Sequence, residues 1–430
     1  MKNISEYPLF TVIIPQKNRA EYLVHSLKTC MIQDYPNFEI IVSDDCSEDN
    51  SVEVIRELIK RDNRIKLFAH EKHLGMRDNF EFALSQVRSG YVMALGGDDG
   101  LVPGCIWKMH EILTTTKKEL LTWTPAGFVY PDHSGGENIF YVKRRRNTGV
   151  KLIKSETFLN KIAKSFLYQI EECPMFYMKG VASTKLVDRV KSRTPDNSFY
   201  YCPTPDGFSG IVLAGEVEEY AFTYEPLSIA GDTVKSQGKN YKRTDSESKK
   251  EATQFFNDNI RRAMHVELAS QQYSPLETLM TADYLLTAKD LPNWPGSFEP
   301  ISFESLLRTS FKFIETNSYE NETLVRELKI LKEIAEQHEL LDLFNELMTT
   351  TKRKVVREKE VYGFLITNSI RFEGTSIGIH NIFDAALATN FVYNFYNRVT
   401  FKTFLDLFKN TFRILIRTRK YKKESLPSID

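Results

Sequence analysis

The sequence is poor in cysteine: Cys30, Cys46, Cys105, Cys173 and Cys202 are scattered over 430 positions, odd in number and without a CxxC pair. That spacing argues against a disulfide framework and against a zinc site. Long hydrophobic runs are also missing. No stretch of about 18 apolar residues occurs, so no membrane-spanning helix is expected. The opening MKNISEYPLF holds no apolar leader core, so no secretory peptide is expected and the cytoplasm is the default compartment. Charge of one sign is not in excess. Lys+Arg and Asp+Glu number 57 each, which removes the global field expected of a nucleic-acid binder. A phosphate loop of the GxGxxG or GxxxxGKS type is absent as well.

What is present is regular alternation. LFTVIIP (9–15), FEIIVSDD (38–45), RIKLFAH (64–70) and YVMAL (91–95) read as strands. Between and after them, 20–33, 51–62, 76–87 and 103–114 have apolar residues at helical spacing, with Asn50 or Ser51 expected as an N-cap and Pro103 in a first turn. Strands and helices at this pitch imply βαβ units, an α/β class and a mostly parallel sheet with covered faces. The polar stretch 131–149 reads as a surface loop and 232–251 as a charged linker. From about 252 to 423 the pattern is helical. The expected division is a domain over 1–240 and a mainly α-helical domain or extension over 250–430.

Ligands of open parallel sheets bind at the carboxyl ends of the strands. Asp44 and Asp45 end the second strand, Asp98 and Asp99 end the fourth, and Pro15-Gln16-Lys17-Asn18-Arg19 ends the first. Paired carboxylates on one rim repel each other unless a cation or hydrogen-bond donors offset them. A divalent metal completing its shell with substrate phosphates, plus ribose or base hydroxyls and N–H groups, suits both pairs.

With these residues the chain resembles the family 2 glycosyltransferases with the GT-A nucleotide-sugar fold. The resemblance is carried by VIIPQKNR (12–19), FEIIVSDDCSEDNS (38–51), HLGMRDNFEFAL (73–84), SGYVMALGGDDGLVPGCIWKM (89–109), PTPDGFSGIVLAG (203–215) and EPLSIAG (225–231), and it covers about residues 8–235. It implies an inverting, divalent-metal-dependent transfer from a nucleotide-sugar donor, with UDP-sugar expected, to a glycan or lipid-linked acceptor hydroxyl. The setting it suggests is bacterial surface polysaccharide synthesis. By the same resemblance Pro15 and Arg19 line the nucleotide pocket, Asp45 contacts the base, and Arg77 or Asn79 faces the nucleotide. Asp98 holds ribose and shares with Asp99 the binding of Mn²⁺ or Mg²⁺. Many relatives carry another Asp where this chain has Gly96.

The acceptor hydroxyl must lose a proton, and the resemblance implies an acidic general base beyond the metal motif, for which Asp206, ahead of the apolar run FSGIVLAG, is the expected residue. A bare helix N-cap is its structural alternative, and Glu171 and Glu172 are second choices. Two other functions fit the carboxylates less well: a nucleotidyltransferase, which usually opens with a Gly-rich loop, and a non-catalytic nucleotide-binding scaffold.

His70 and His73 read as a surface loop, Cys46 as packing and KRRR (143–146) as a solvated charge run. Lys235 and Lys239 are candidates to fold over the donor. The stretch 401–423 sets Phe and Leu at helical spacing beside eight Lys or Arg and one Asp, the pattern of an amphipathic helix on an anionic membrane face. Peripheral contact at the inner face of the cell membrane is one expectation, and a helix docked on its own domain or on a partner chain is the other.

Overall fold

The computed structural model describes residues 6–132, 138–143, 149–236, 262–268, 273–274, 276–317, 319, 321–356, 369–398 and 421–425. Its elements begin β1 (Phe10–Gln16), α1 (Ala20–Met31), β2 (Phe38–Asp44), α2 (Ser51–Ile59), β3 (Ile65–Ala69), α3 (Met76–Ser85) and β4 (Tyr91–Ala94). They continue with β5 (Gly100–Leu101), α4 (Cys105–Thr116), β6 (Leu120–Trp123), β7 (Ala126–Val129), β8 (Ile139–Lys143), β9 (Val150–Lys154) and α5 (Ser155–Ser165). Next come β10 (Gly180–Ser183), α6 (Thr184–Lys191), α7 (Gly207–Gly215), β11 (Glu219–Thr223) and β12 (Ser228–Asp232). The second half adds α8 (Glu277–Lys289), α9 (Phe303–Thr316), α10 (Asn321–Gln337), α11 (Leu341–Thr350), β13 (Lys352–Val356), β14 (Ser369–Glu373), α12 (Ile382–Arg398) and β15 (Tyr421–Ser425).

The main sheet runs β3-β2-β1-β4-β10-β6-β11-β9. β3, β2, β1 and β4 are mutually parallel, as are β6 and β11, while β10 and β9 run antiparallel to their neighbours. The sheet is therefore mixed, with its parallel part where the βαβ pattern places it. Its central strands are apolar on both faces because helices cover both. Val12, Ile14, Ile40 and Val42 pack with α1, α2 and α4, whereas Ile13 and Ile41 pack with α3 and α7.

Strand order reverses at β1: the chain builds β2 and β3 on one side and places β4 on the other. That reversal opens a crevice at the carboxyl ends of β1 and β4. A second sheet, β14-β8-β7-β12-β5, stands beside it. Its β12 pairs antiparallel with β5, Ile229 opposite Gly100, which brings the residues after β12 across from Asp98 and Asp99.

Several expectations change. Ile139–Lys143, within the expected surface loop, is a strand pairing both β7 and β14. The tract read as helical from 252 to 423 contains three strands. Ser369–Glu373 alternates and completes the second sheet, and Lys352–Val356 pairs Tyr421–Ser425. Asn50 precedes α2 without capping it through its side chain; Asp49 Oδ1 accepts from Ser51 N instead. The basic stretch 401–423 lies outside the described residues as far as 420, and 421–423 begin β15 rather than ending a helix. Lys239 and 144–146 of the basic run also lie outside them. All five cysteines are free thiols. Among the described residues no helix is long and apolar enough to cross a membrane.

The helical half is packed onto the first. α7 is buried along its whole length and α8 lies against it. Gly215 is where Trp294 docks: a Cβ there would stand 2.0 Å from the indole ring, and Trp294 Nε1 donates to Val212 O at 3.2 Å. Trp294→Ala is expected to cost about 3–5 kcal/mol, read as a lower urea midpoint, because a large buried ring leaves a cavity behind. A loss under about 1 kcal/mol would show that the two halves are not joined through this contact.

Candidate active site

Asp98 and Asp99 follow β4 and are nearly inaccessible, at 6% and 3% exposure. Two adjacent buried carboxylates need donors, and the chain supplies them from four segments. Arg19, just beyond β1, donates through Nη1 to Asp98 Oδ2 at 3.2 Å and to Thr233 Oγ1 at 3.1 Å, and through Nη2 to Lys235 O at 2.7 Å. Thr233 Oγ1 donates to the same Asp98 oxygen at 3.1 Å. Asp99 Oδ1 accepts from Gly231 N at 2.8 Å and Oδ2 from Gly96 N at 3.0 Å. The Tyr177 hydroxyl also hydrogen-bonds to Asp99. Burial, and then the neighbouring Asp98 charge, still hold the Asp99 carboxyl well above the usual carboxylate range.

Tyr177 is the centre of the arrangement. Burial raises its phenol, and the charges of Asp99, Asp98 and Asp206 add to that in turn. It therefore stays protonated and acts as a donor among three carboxylates. This explains Gly96. A Cβ at that position would lie 2.6 Å from both the Tyr177 hydroxyl and Asp99 Oδ2, so a side chain of any kind conflicts with the phenol.

Asp206 stands at the start of α7 but does not cap it through its side chain. Its carboxylate accepts no hydrogen bond from the described residues, and burial alone raises it to about 6. A carboxylate at a helix N-terminus is favoured in its ionised form, yet here desolvation outweighs the dipole. The segment is fixed around the free carboxylate. Ser209 Oγ donates to Pro205 O (2.6 Å) or Asp206 O (2.7 Å) and accepts from Phe176 N (3.0 Å), stapling α7 to the Tyr177 loop. Thr204 Oγ1 shares a 2.8 Å hydrogen bond with the Tyr284 hydroxyl of α8. Lys179 Nζ, buried and lowered to about 8 by desolvation, donates to Ile170 O and Glu171 O, both 2.8 Å, and closes the same loop.

The other expected residues are arranged around this centre. Pro15 is buried in β1. Asp45 is held by Leu74 N (2.6 Å), Gly75 N (3.1 Å) and His73 Nδ1 (2.8 Å), so it anchors the loop before α3. Arg77 reaches Tyr200 O (2.6 Å), Asp196 (2.6 Å) and Ser198 (2.9 Å), and Asn79 bonds Ser43. Arg77 and Asn79 thus brace the loops beside the rim. Glu171 and Glu172 face Lys143 and Lys161. Lys235 Nζ donates to Asn18 O at 3.0 Å, latching the segment after β12 onto the β1 loop. Tyr177, Thr233 and Ser209 were not singled out by sequence. His73, read there as surface loop, pairs with Asp45, and His70 bonds Ser43 at 2.9 Å.

A divalent ion fits the donor set chemically. Two carboxylates sit side by side, and no donor among the described residues reaches Asp98 Oδ1. No group of three or more His, Cys, Asp or Glu is clustered for a metal among the described residues. Mg²⁺-type ions typically use only one or two carboxylates with waters and substrate phosphates.

Gly96→Ala is expected to weaken Mn²⁺-dependent UDP binding by about 10-fold or more in calorimetry, since overpacking of this kind costs ~1–3 kcal/mol. Unchanged affinity would show that the Tyr177–Asp99 contact does not shape the site.

Residues 11–164 match Glycosyl transferase family 2. An uncharacterized glycosyltransferase of Haemophilus influenzae is 29% identical over 130 residues, covering 30% of this chain and 51% of its own. The GalNAc(5)-diNAcBac-PP-undecaprenol beta-1,3-glucosyltransferase of Campylobacter jejuni is 37% identical over 100 residues, 23% of this chain and 32% of its own. The chain thus spans about half or less of the length of these relatives. Among solved structures, S. aureus TarS 1–349 with UDP-GlcNAc aligns over 81% of this chain and 95% of its own, at 14% identity and a TM-score of 0.42. Over residues 11–164 the chain is thus similar to family 2 of the glycosyltransferases.

Proposed function

We propose that this protein transfers a sugar from a nucleotide-sugar donor, a UDP-sugar, to a hydroxyl of a glycan or lipid-linked acceptor, with inversion at the anomeric carbon. The observation that carries the reading is the convergence of Asp98, Asp99 and Asp206 on one tyrosine. Two carboxylates are tied down by donors and the third is left free. The first pair suits a metal-diphosphate, and the free one suits a base.

In this reading Asp98 and Asp99 hold Mn²⁺ or Mg²⁺, which when bound neutralises charge on the leaving nucleoside diphosphate. Arg19 lies beside them and borders the diphosphate. The base contact falls to Asp45, with Pro15 as the wall and Arg77 and Asn79 bracing the surrounding loops. The acceptor oxygen forms its bond to the anomeric carbon as the carbon–oxygen bond to the diphosphate breaks. The leaving diphosphate takes that electron pair. The hydroxyl proton goes to Asp206, whose pKa, raised to about 6, still leaves it mostly ionised at neutral pH while making it a stronger base than an exposed carboxylate. Tyr177 holds Asp99 and separates the two functions. The Campylobacter relative is named for a polyprenol-linked glycan, which supports the lipid-linked acceptor class; surface polysaccharide synthesis is the setting of this reading.

Asp206→Asn is expected to leave UDP affinity within about 2-fold and to lower kcat by on the order of 10²-fold or more. The base works only when ionised, so wild-type kcat rises with pH through about 6 and levels above it. That limb disappears in the Asn variant. Asp99→Ala is expected to abolish Mn²⁺-dependent UDP binding. Normal turnover by Asp206→Asn would remove the base assignment.

A further inference from the structure

The helix α12 lies outside the machinery described above. One face is buried on the first domain through Ile382, Ala385, Ala386, Thr389 and Tyr393. It runs along α1, and its Asn390 donates to Pro103 O at 3.1 Å. The opposite face is not covered. Leu387, Phe391 and Phe395, spaced by four, are 53%, 72% and 41% exposed, and Phe391 is the most exposed large apolar side chain among the described residues. The Phe391 and Phe395 rings stack on each other at 5.9 Å, giving a flat apolar ridge.

A helix face turned to water normally carries charge. From Ala385 to Asn397 this one has none. A contiguous exposed apolar stripe marks a contact surface, and the chain itself indicates which kind. The stripe runs straight into the sequence 398–423, which holds nine Lys or Arg and a single acid, Asp406. An apolar ridge followed in sequence by a strongly cationic stretch matches the two chemistries of an anionic bilayer, acyl chains and headgroups. A water-soluble protein partner would need a deep acidic groove to match both at once.

We propose that the Leu387–Phe391–Phe395 face of α12 is the surface by which this protein docks on an anionic lipid bilayer. The proposal does not depend on the catalytic reading. It places the contact on a helix that packs against α1 and that meets Gly100, next to the Asp98–Asp99 pair, through Ile382.

Sedimentation of the full chain with vesicles tests it. The protein is expected to partition at least about 10-fold more strongly onto phosphatidylglycerol/phosphatidylcholine vesicles than onto phosphatidylcholine alone. The triple variant L387S/F391S/F395S should lose about 10-fold or more of that partitioning, since each buried apolar side chain contributes at least that much. Its melting temperature and elution volume should match the wild type. In Phe391→Trp, which keeps binding, the indole emission should shift to the blue when phosphatidylglycerol vesicles are added. The proposal is overturned if the wild type binds neither vesicle, if the triple variant binds as well as the wild type, or if the indole emission does not move. It is equally overturned if the triple variant changes oligomeric state, which assigns the face to a second copy. A marked drop in its melting temperature assigns the face to residues 399–420 of the same chain.

Discussion

Everything in this molecule that bears on chemistry depends on β1 being flanked by β2 on one side and β4 on the other. Parallel pairing in register, Ile13 opposite both Ile41 and Ala94, sends the ends of all three strands to the same rim. Asp45, Arg19 and the Asp98–Asp99 pair are far apart in sequence, and this register alone makes them neighbours. A one-residue slip would turn Val12 and Ile14 toward the opposite layer and separate the carboxylates at the same time. Core packing and site assembly are thus set by the same hydrogen-bond ladder.

The second layer of organisation is electrostatic. Three carboxylates around one phenol repel each other, and burial increases the cost. The fold offsets this unevenly. Among the described residues, Asp98 receives Arg19 and Thr233, Asp99 receives two backbone amides and Tyr177, and Asp206 receives no donor. Groups that would be equivalent in water are thereby pushed toward different roles. In the proposed reading, such divergence of neighbouring acids separates a cation-holding pair from a proton acceptor. The helical half takes part through Tyr284 of α8, which bonds Thr204 just ahead of Asp206, and through Trp294, which docks on the far end of α7.

The N-terminal α/β pattern was legible because its strands are buried on both faces and read as continuous β-branched runs. The acids were legible because such runs end in them. Ile139–Lys143 and Ser369–Glu373 were hidden inside polar or helix-rich surroundings, and they pair with each other across more than 200 residues, a contact no local signal carries. Thr233 was invisible for the same reason, since its importance arises only when the second sheet lays β12 across β5; Tyr177 reaches Asp99 from a loop that Met178 N ties to Ala94 O of β4 at 2.7 Å. The missing side chain at Gly96 was noticed, but its cause, a phenol occupying that space, needed coordinates. Asp206 could be named from its setting, whereas the lack of any hydrogen bond to its carboxylate, which separates a base from a cap, could not.

The central claim is that acids from separate strands form one seat for a divalent ion and a nucleoside diphosphate. Crystals grown with Mn²⁺ and UDP test it most directly through the anomalous signal of manganese. The account predicts a single strong peak in direct ligation of Asp98 or Asp99, bridged to the diphosphate, with the uracil ring toward Asp45. A peak elsewhere, or UDP bound away from the carboxyl ends of β1 and β4, would contradict it.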